Sequence, residues 1–472
     1  MSDFPRTLFV EVTTRCNLAC PMCVKNAPGW HGGEGHMAWE VFERLEPALR
    51  HAEAVVLNGM GEPLLHPDLP RMIALTKARQ PKGGWCGVQT NGLLLDARSA
   101  RELVRAGLDV ACLSVDGNPV GPEYGPGNGP EYGLRHGLGH GPGQGRVVAE
   151  GVALLAAAAA ECGRSIRLGA EFVLMKSNAH ELPGLVEWAV SLGLDFLLVT
   201  HMLPASPAQE AEALFHPCSS AAIQLFTRYQ PRTAALGLSL GELTRAAMKF
   251  QRSEAEEQLI ALAKEMHQSA HAQGIWLNLE RLARTDFVQL EALAGLFGQA
   301  RQRALSAGLD LRLPGLTAPA QSREHRCAFV EAQAACIDWQ GGVSPCQFLW
   351  HGYECQIYGE TKRVHPTQFG NICVTTLADI WRSPEFPVFV EQAQAGDYPP
   401  CGDCSMGVCS DASGAAGPFE QDCLGVPVPC GHCPWAVGQL MCLGTELNVT
   451  TRESTWTNYT SCSSAPKTAP AA

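Results

Sequence analysis

Short apolar segments recur along the N-terminal part of the chain, and each runs into a polar or glycine-containing turn. They occupy residues 8–12, 54–58, 87–92, 109–117, 166–174 and 196–201. Amphipathic stretches, such as residues 98–106 and 181–192, separate them. Strands that alternate with helices at this spacing predict a parallel sheet with right-handed crossovers. Ligands bind at the carboxyl ends of the strands in such sheets, so these turns are candidate site positions.

Three cysteines lie on the turn after the first apolar segment. Cys16, Cys20 and Cys23 have the spacing C-x3-C-x2-C. Three thiolates this close can hold three corners of a four-iron cluster, whereas a closed cluster needs four cysteines. Because no fourth cysteine is near in sequence, one iron would stay open to a substrate or cofactor, as in a catalytic metal site. The alternatives are a zinc knuckle, which also needs a fourth ligand, and three free buried thiols.

The turn after the second apolar segment completes a recognisable pair of motifs. It contains Gly59, Met60, Gly61, Glu62 and Pro63. This turn and the cysteine run resemble the radical S-adenosylmethionine (SAM) superfamily, although the first two residues of the turn depart from the Gly-Gly-Glu-Pro pattern of that family. The resemblance implies that the three cysteines hold a catalytic [4Fe–4S] cluster and that the turn receives the amino group of bound SAM. A solvated loop acid is the alternative for the glutamate.

The same resemblance implies further SAM contacts at the ends of the fourth and fifth strands. We expect Ser114, Asp116 and Asn178 to meet the ribose and the methionine carboxylate, although such residues also cap helices. The turns TNG at 90–92 and SVDG at 114–117 are similar to those of radical SAM partial barrels. The predicted fold class is therefore α/β, with a partial (β/α)6 barrel in residues 1–204.

Twelve of the twenty cysteines lie between residues 327 and 442. Cys327 and Cys346 fit C-x13-G-x4-C, and the next run is C-x2-C-x4-C from Cys401. The pattern resembles the SPASM domain, which carries auxiliary four-iron clusters, although x4 replaces x5 and Cys423 lies beyond the usual x3. The resemblance implies auxiliary cluster ligands among Cys327, Cys346, Cys401, Cys404, Cys409, Cys423, Cys430, Cys433 and Cys442.

The cysteines in this region exceed the eight that two closed clusters need. Either several are spare, or Cys423, Cys430, Cys433 and Cys442 form a third metal site. A pair of zinc ribbons is the alternative for the whole region, because C-x2-C pairs suit zinc as well as iron.

The remaining segments set the predicted domain organisation. Residues 117–145 are rich in Gly and Pro and predict a flexible insertion in the core at 1–204. Residues 205–322 show helical periodicity and predict an α-rich bridge that adds a strand or two. A small Cys-rich Fe–S (SPASM) domain is expected at 323–442, followed by a disordered tail at 443–472.

Composition excludes some classes of function. The net charge is −12 and no basic stripe is present, which disfavours a nucleic-acid substrate. No apolar run reaches membrane-spanning length, so no membrane partner is expected. The N-terminus shows no signal peptide, and twenty cysteines without one predict metal ligands in a reducing cytoplasm.

The resemblance implies an anaerobic enzyme that reductively cleaves SAM and abstracts hydrogen from a protein or peptide. Ferredoxin or flavodoxin is the expected electron donor. The late motifs DC-x-G and C-G-x-C-x-W-A look like those of SPASM maturases associated with metalloenzymes. One alternative is thioether or carbon–carbon cross-linking of a ribosomal peptide, and another is a non-catalytic Fe–S carrier or scaffold, against which the intact turn at 59–63 argues.

Overall fold

The computed structural model describes residues 3–115, 144–319, 327–395, 398–405 and 419–444. Asp116, Cys409, most of the Gly/Pro-rich insertion and nearly all of the predicted tail lie outside these ranges. Within them, ten strands form one sheet in the order β14-β11-β10-β1-β2-β3-β4-β5-β6-β8. The strands are β1 Thr7–Glu11, β2 Ala54–Asn58, β3 Trp85–Thr90, β4 Val110–Val115, β5 Arg167–Leu174, β6 Phe196–His201, β7 His216–Ser219, β8 Asp310–Arg312, β9 Thr317–Ala318, β10 Ala334–Ile337, β11 Gly342–Ser344, β12 Tyr353–Ile357, β13 Glu360–Val364 and β14 Gly370–Asn371.

The six predicted strands are confirmed as β1–β6, and neighbours among them pair in parallel. Helices follow most of them. The α-helices are Trp39–Glu43, Glu46–Leu49, Leu69–Arg79, Ala97–Ala106, Gln144–Cys162, Leu182–Ser191, Pro207–Glu210, Ser220–Ala234, Leu243–Met248, Glu254–Ala272, Leu279–Ala283, Phe287–Ala307, Ala328–Glu331, Leu377–Arg382 and Glu385–Ala395. The short 3-10 helices are Val24–Asn26, Pro63–Leu65, Ala179–Glu181, Leu240–Glu242, Cys401–Asp403 and Pro429–His432.

The ends of the helices follow from local sequence. Helix Ala97–Ala106 begins at Asp96, whose carboxylate accepts from two backbone N–H groups in a capping box with Ser99. It ends at Gly107, where φ is 109°, a conformation that glycine adopts without strain. Helix Glu254–Ala272 begins with a second capping box, between Ser253 and Glu256. These signals fix where the crossovers begin and end between the strands.

The cysteine-rich region and the bridge both extend the central sheet. β10 pairs in parallel with β1 on the side opposite β2, and β11 and β14 continue the sheet antiparallel. At the other edge β8, from the bridge, pairs in parallel with β6. The hairpin β12–β13 and the pair β7–β9 stand outside this sheet.

Buried apolar side chains pack against both faces of the sheet, which explains why its strands appear in the sequence as continuous apolar runs. β1 and β2 are buried along their whole lengths. Leu8 and Val10 pack in the core shared with the crossover helices, whereas Phe9 packs with C-terminal residues. The rings of Phe9 and Phe329 are 5.3 Å apart. The cysteine-rich region therefore covers one face of the sheet.

The bridge has a core of its own around Phe226, Leu259 and Met266. No helix among the described residues is long and apolar enough to cross a membrane.

Candidate functional site

The three N-terminal cysteines lie on the loop that follows β1. Cys16, Cys20 and Cys23 are each half-buried. The amide of Cys23 and the side chain of Asn26 both donate to the carbonyl of Cys20, at 3.0 and 2.8 Å, which closes the loop. Burial raises the pKa of the Cys16 and Cys23 thiols, and the proximity of Cys16 raises that of Cys23 further. Metal ligation requires the thiolate, so such thiols would lose their protons on binding a cluster.

The loop at 59–63, which we name the Glu62 loop, lies directly against the cysteine loop. The amide of Glu62 donates to the carbonyl of Arg15 at 2.8 Å. A side chain at Gly61 would clash with the backbone of Thr13 and Arg15, so a glycine is required for this approach. Gly59 has a φ of 137°, and Pro63 begins the 3-10 helix Pro63–Leu65. The structure therefore brings the two predicted motifs together.

Glu62 is 2% exposed, so it is not a solvated loop acid. Its carboxylate accepts from the Leu64 amide at 3.0 Å, the Asn91 amide at 2.8 Å and the Thr90 hydroxyl at 2.5 Å. Burial raises the pKa of Glu62, while these hydrogen bonds act in the opposite direction. The charge of Glu62 in turn raises the pKa of Cys16, so the carboxylate lies beside the cysteine loop.

A buried acid–imidazole pair, which the sequence analysis did not predict, contacts the Glu62 loop through the Met60 amide. Glu11 ends β1 and is 0% exposed. Its carboxylate accepts from His351 Nε2 at 3.0 Å and from the Met60 amide at 3.1 Å. The ring of His351 lies 4.9 Å from that of Trp30. The position of Glu11 inside an apolar run could have predicted such a pair from the sequence, because a buried charge needs a partner.

The residues predicted to contact SAM near the ends of β4 and β5 differ in their surroundings. Ser114 is half-buried on β4 and is opposite Glu171 of β5 in the strand register. Glu171 accepts a hydrogen bond from Gln89 of β3, which places a further polar pair among the barrel strands. Asn178 braces the turn after β5, since its amide accepts from Met175 N at 2.8 Å and donates to Val173 O at 2.9 Å. Asp116 lies outside the described residues.

Four cysteines of the C-terminal region are neighbours, and we name them the inner cysteine group: Cys327, Cys346, Cys430 and Cys433. Burial raises the pKa of Cys346 well above its usual range, and the neighbouring thiols Cys433, Cys327, Cys336 and Cys430 add to this in decreasing order. The pKa values of Cys430 and Cys433 are raised first by burial and then by Cys327. Thiols that oppose one another's ionisation stay protonated until a bound cation compensates their charge.

Cys336 and Cys442 lie at the side of this group. Cys336 raises the pKa of Cys346, which belongs to the group. Burial raises the pKa of Cys336 itself, and Cys442 and Cys327 raise it further. The indole of Trp435 donates to Cys442 Sγ at 2.9 Å, and that thiol donates to Gln347 Oε1 at 3.0 Å. Cys336 did not figure among the predicted ligands, and its position on β10 explains its burial.

Cys401 and Cys404, which we name the outer cysteine pair, lie on a short loop that the bridge holds in place. Asn278 donates to the carbonyl of Cys404 at 2.6 Å, and Arg281 donates to that of Gly402 at 2.7 Å. A side chain at Gly402 would clash with the Pro217 carbonyl. Cys423 is exposed, and Cys409 lies outside the described residues.

A buried histidine joins the outer pair to a lysine. His432 Nε2 lies 3.0 Å from Cys401 Sγ, and its Nδ1 lies 3.0 Å from Lys362 Nζ. Burial and the charge of Lys362 lower the pKa of His432 to about 3.

Within the described ranges, no three His, Cys, Asp or Glu side chains are arranged as ligands of one metal ion. Each cysteine of a four-iron cluster binds a different iron, so the sulfurs surround the cluster instead of meeting at one point. The fit of the inner group to such a cluster rests on the number, burial and proximity of its thiols.

Family comparisons agree with both parts of the site. Residues 10–119 match the Radical SAM superfamily, and residues 327–405 match SPASM, an iron–sulfur cluster-binding domain. The chain is therefore a radical SAM enzyme with a C-terminal SPASM region. Its cofactors are SAM, the [4Fe–4S] cluster that binds SAM, and auxiliary iron–sulfur clusters.

One similarity extends over nearly the whole chain. The chain is 27% identical over 439 residues to the tungsten-containing aldehyde ferredoxin oxidoreductase cofactor-modifying protein of Pyrococcus furiosus, covering 92% of this chain and 96% of that protein. It is 28% identical over 196 residues to the PqqA peptide cyclase of Streptomyces rochei, covering 40% of this chain and 46% of that protein. Among solved structures, native anSMEcpe with bound AdoMet has a TM-score of 0.45 and 14% identity, covering 90% of this chain and 94% of that one. SuiB of Streptococcus suis has a TM-score of 0.44 and 13% identity, covering 81% and 67%.

Proposed function

We propose that this enzyme is a maturase that modifies a protein or peptide belonging to a metalloenzyme. The observation that carries the proposal is the similarity to the cofactor-modifying protein, which spans 92% of this chain and 96% of that protein. A match of this length supports a shared arrangement of catalytic and auxiliary regions, and not a shared core alone.

In this proposal Cys16, Cys20 and Cys23 bind three irons of the first cluster and leave the fourth open to SAM. When bound, the cluster and SAM together supply reductive cleavage of SAM and hydrogen abstraction from the substrate. The carboxylate of Glu62 has about four acceptor positions, of which protein donors use three. The remaining one would accept a hydrogen bond from the SAM amino group, and the backbone of Gly59, Met60, Gly61 and Pro63 shapes the loop around it.

The residues after β4 and β5 complete the proposed SAM site. Ser114, Asp116 and Asn178 orient the ribose and the methionine carboxylate. Asn178 does so through the turn that its side chain already braces. Packing of the cysteine-rich region on the sheet keeps water from the strand ends, which protects radical chemistry from side reactions.

The inner cysteine group supplies four ligands for one auxiliary cluster, which is the number that a closed four-iron cluster needs. Cys401, Cys404 and Cys409 hold a second cluster, and the fourth ligand comes from Cys423 or Cys442. This grouping places Cys430 and Cys433 with Cys327 and Cys346, and it leaves no separate third site. A ferredoxin or flavodoxin reduces the clusters in an anaerobic cytoplasm.

Deuterium transfer tests the proposed substrate class. The reconstituted enzyme is incubated anaerobically with SAM, a reductant and the deuterated apo form of a tungsten-containing aldehyde oxidoreductase. We expect deuterium in the 5′-deoxyadenosine product. A control omits the apoprotein.

Two results would contradict the proposal in different ways. Transfer from a short deuterated ribosomal peptide but not from the apoprotein would favour peptide cross-linking, which the partial similarity to a peptide cyclase supports as a second candidate. No 5′-deoxyadenosine from an enzyme with full iron content would favour an iron–sulfur carrier.

A further inference from the structure

His432 connects a buried lysine to a cysteine of the outer pair. It lies in the 3-10 helix Pro429–His432, between Cys430 and Cys433, and is 3% exposed. Its two ring nitrogens have different neighbours: Nδ1 is 3.0 Å from Lys362 Nζ, and Nε2 is 3.0 Å from Cys401 Sγ. Lys362 belongs to β13 and is 4% exposed. The three side chains thus form a relay from two buried residues to the half-buried Cys401, which we name the Lys362–His432–Cys401 chain.

The lysine fixes the tautomer of the histidine. A lysine ammonium has three donors and no acceptor, so His432 Nδ1 must accept from it. The neutral ring then carries its proton on Nε2, and this N–H group points at Cys401 Sγ.

The same geometry argues against His432 as an iron ligand. A histidine that ligates a metal donates its other ring N–H to a carboxylate, a carbonyl or water. Here the other nitrogen faces a donor, and the nitrogen nearest the cysteine sulfur is the protonated one. A donor role therefore fits the arrangement, and a ligand role would require Lys362 to move away.

We propose that His432 donates an N–H···S hydrogen bond to Cys401 and thereby raises the reduction potential of the auxiliary cluster that Cys401 binds. This inference rests on the proposed role of Cys401 as a cluster ligand. Hydrogen bonds to the cluster sulfurs are among the factors that set cluster potentials. A donor at the thiolate favours the more negatively charged, reduced cluster, so the potential rises. His432 is a positioning residue that tunes the cluster, and Lys362 acts through it.

The test is a redox titration followed by EPR spectroscopy, in a Cys16→Ala, Cys20→Ala, Cys23→Ala background that should retain the auxiliary clusters. We expect His432→Leu to shift the midpoint potential of one auxiliary cluster to a more negative value without loss of iron. His432→Gln keeps an N–H donor and should restore part of the shift. His365→Gln is the matched control, because His365 lines the adjacent cavity beside Lys362.

Lys362→Met tests the relay. Alone it should shift the same cluster in the same direction. In the His432→Leu background it should shift the potential by less, because the lysine then has no imidazole to orient.

Each other result overturns the proposal. An unchanged potential in His432→Leu with full iron content excludes tuning. Loss of about four irons in that variant, or strong coupling of a directly bound imidazole nitrogen to the cluster in the parent, would make His432 a ligand. Absence of auxiliary iron from the parent protein, before any change at His432, would instead show that the proposed auxiliary clusters themselves are wrong.

Discussion

Glu62→Gln is the substitution that tests the proposed SAM-binding role of Glu62 most directly. The carboxylate has about four acceptor positions, and the Leu64 amide, the Asn91 amide and the Thr90 hydroxyl occupy three of them. No donor among the described residues takes the remaining position, which is therefore available to the ammonium of SAM. Glutamine preserves the size of the side chain, but it carries no charge and replaces one oxygen by a donor group.

The expected loss follows from the type of contact. A hydrogen bond to a charged group contributes about 1.5–3 kcal/mol. Loss of one such contact should therefore weaken SAM binding by roughly ten- to a hundred-fold. The iron content should not change, because Glu62 is not a proposed ligand of the cluster.

The measurement is anaerobic equilibrium dialysis with labelled SAM, together with iron counting on the same samples. Glu102→Gln is the matched control, because this glutamate is exposed and pairs with Arg98 on the helix surface. Equal SAM affinity in wild type and Glu62→Gln would refute the role of the carboxylate. A loss of iron in Glu62→Gln would show that the residue supports the cluster loop instead.

Four further outcomes follow from the contacts described above. Burial raises the pKa of Glu62 above 4.5. In the wild-type protein SAM affinity should therefore fall as the pH is lowered through this raised pKa, whereas in Glu62→Gln it should not. Identical pH profiles of SAM affinity in equilibrium dialysis would contradict this. Because the pKa of Glu62 is raised in the SAM-free folded state, that state binds the proton more tightly than the unfolded state does. Protonation of Glu62 should therefore raise the melting temperature as the pH falls through the raised pKa towards 4.5. His351→Leu removes the imidazole donor from the buried Glu11 carboxylate and should cost about 1–3 kcal/mol, seen as a lower urea midpoint. An unchanged midpoint would show that other donors suffice. Gly402→Ala should drive a methyl group into the Pro217 carbonyl and release about four irons; full iron content in that variant would mean that the outer pair binds no cluster.

The strands and the two N-terminal motifs were predictable because their signals are local. β1–β6 are buried on both faces, and such strands show as short apolar runs in any single sequence. The cysteine spacing and the Glu62 loop each lie within a few residues, and the parallel sheet brings the strand ends to one edge. Their contact, from Glu62 N to Arg15 O, follows from pairing of β1 with β2.

The parts that were missed depend on contacts between distant residues. Glu11 and His351 are 340 positions apart, so nothing local in the sequence pairs them. β10 and β11 are 4 and 3 residues long, too short for a pattern to assign them to the central sheet. The grouping of Cys430 with Cys327 likewise depends on the tertiary fold, because spacing alone suited a third metal site. Asp116 and Cys409 stay sequence predictions.

The measurement that tests the central claim most directly compares the wild-type protein with the Cys16→Ala, Cys20→Ala, Cys23→Ala variant. Both are reconstituted anaerobically, and iron content and 5′-deoxyadenosine production are measured, with the exposed Cys373→Ala as the control. We predict that the triple variant loses about four irons, retains about eight in the auxiliary clusters, and produces no 5′-deoxyadenosine. Unchanged 5′-deoxyadenosine production in the triple variant would contradict the account.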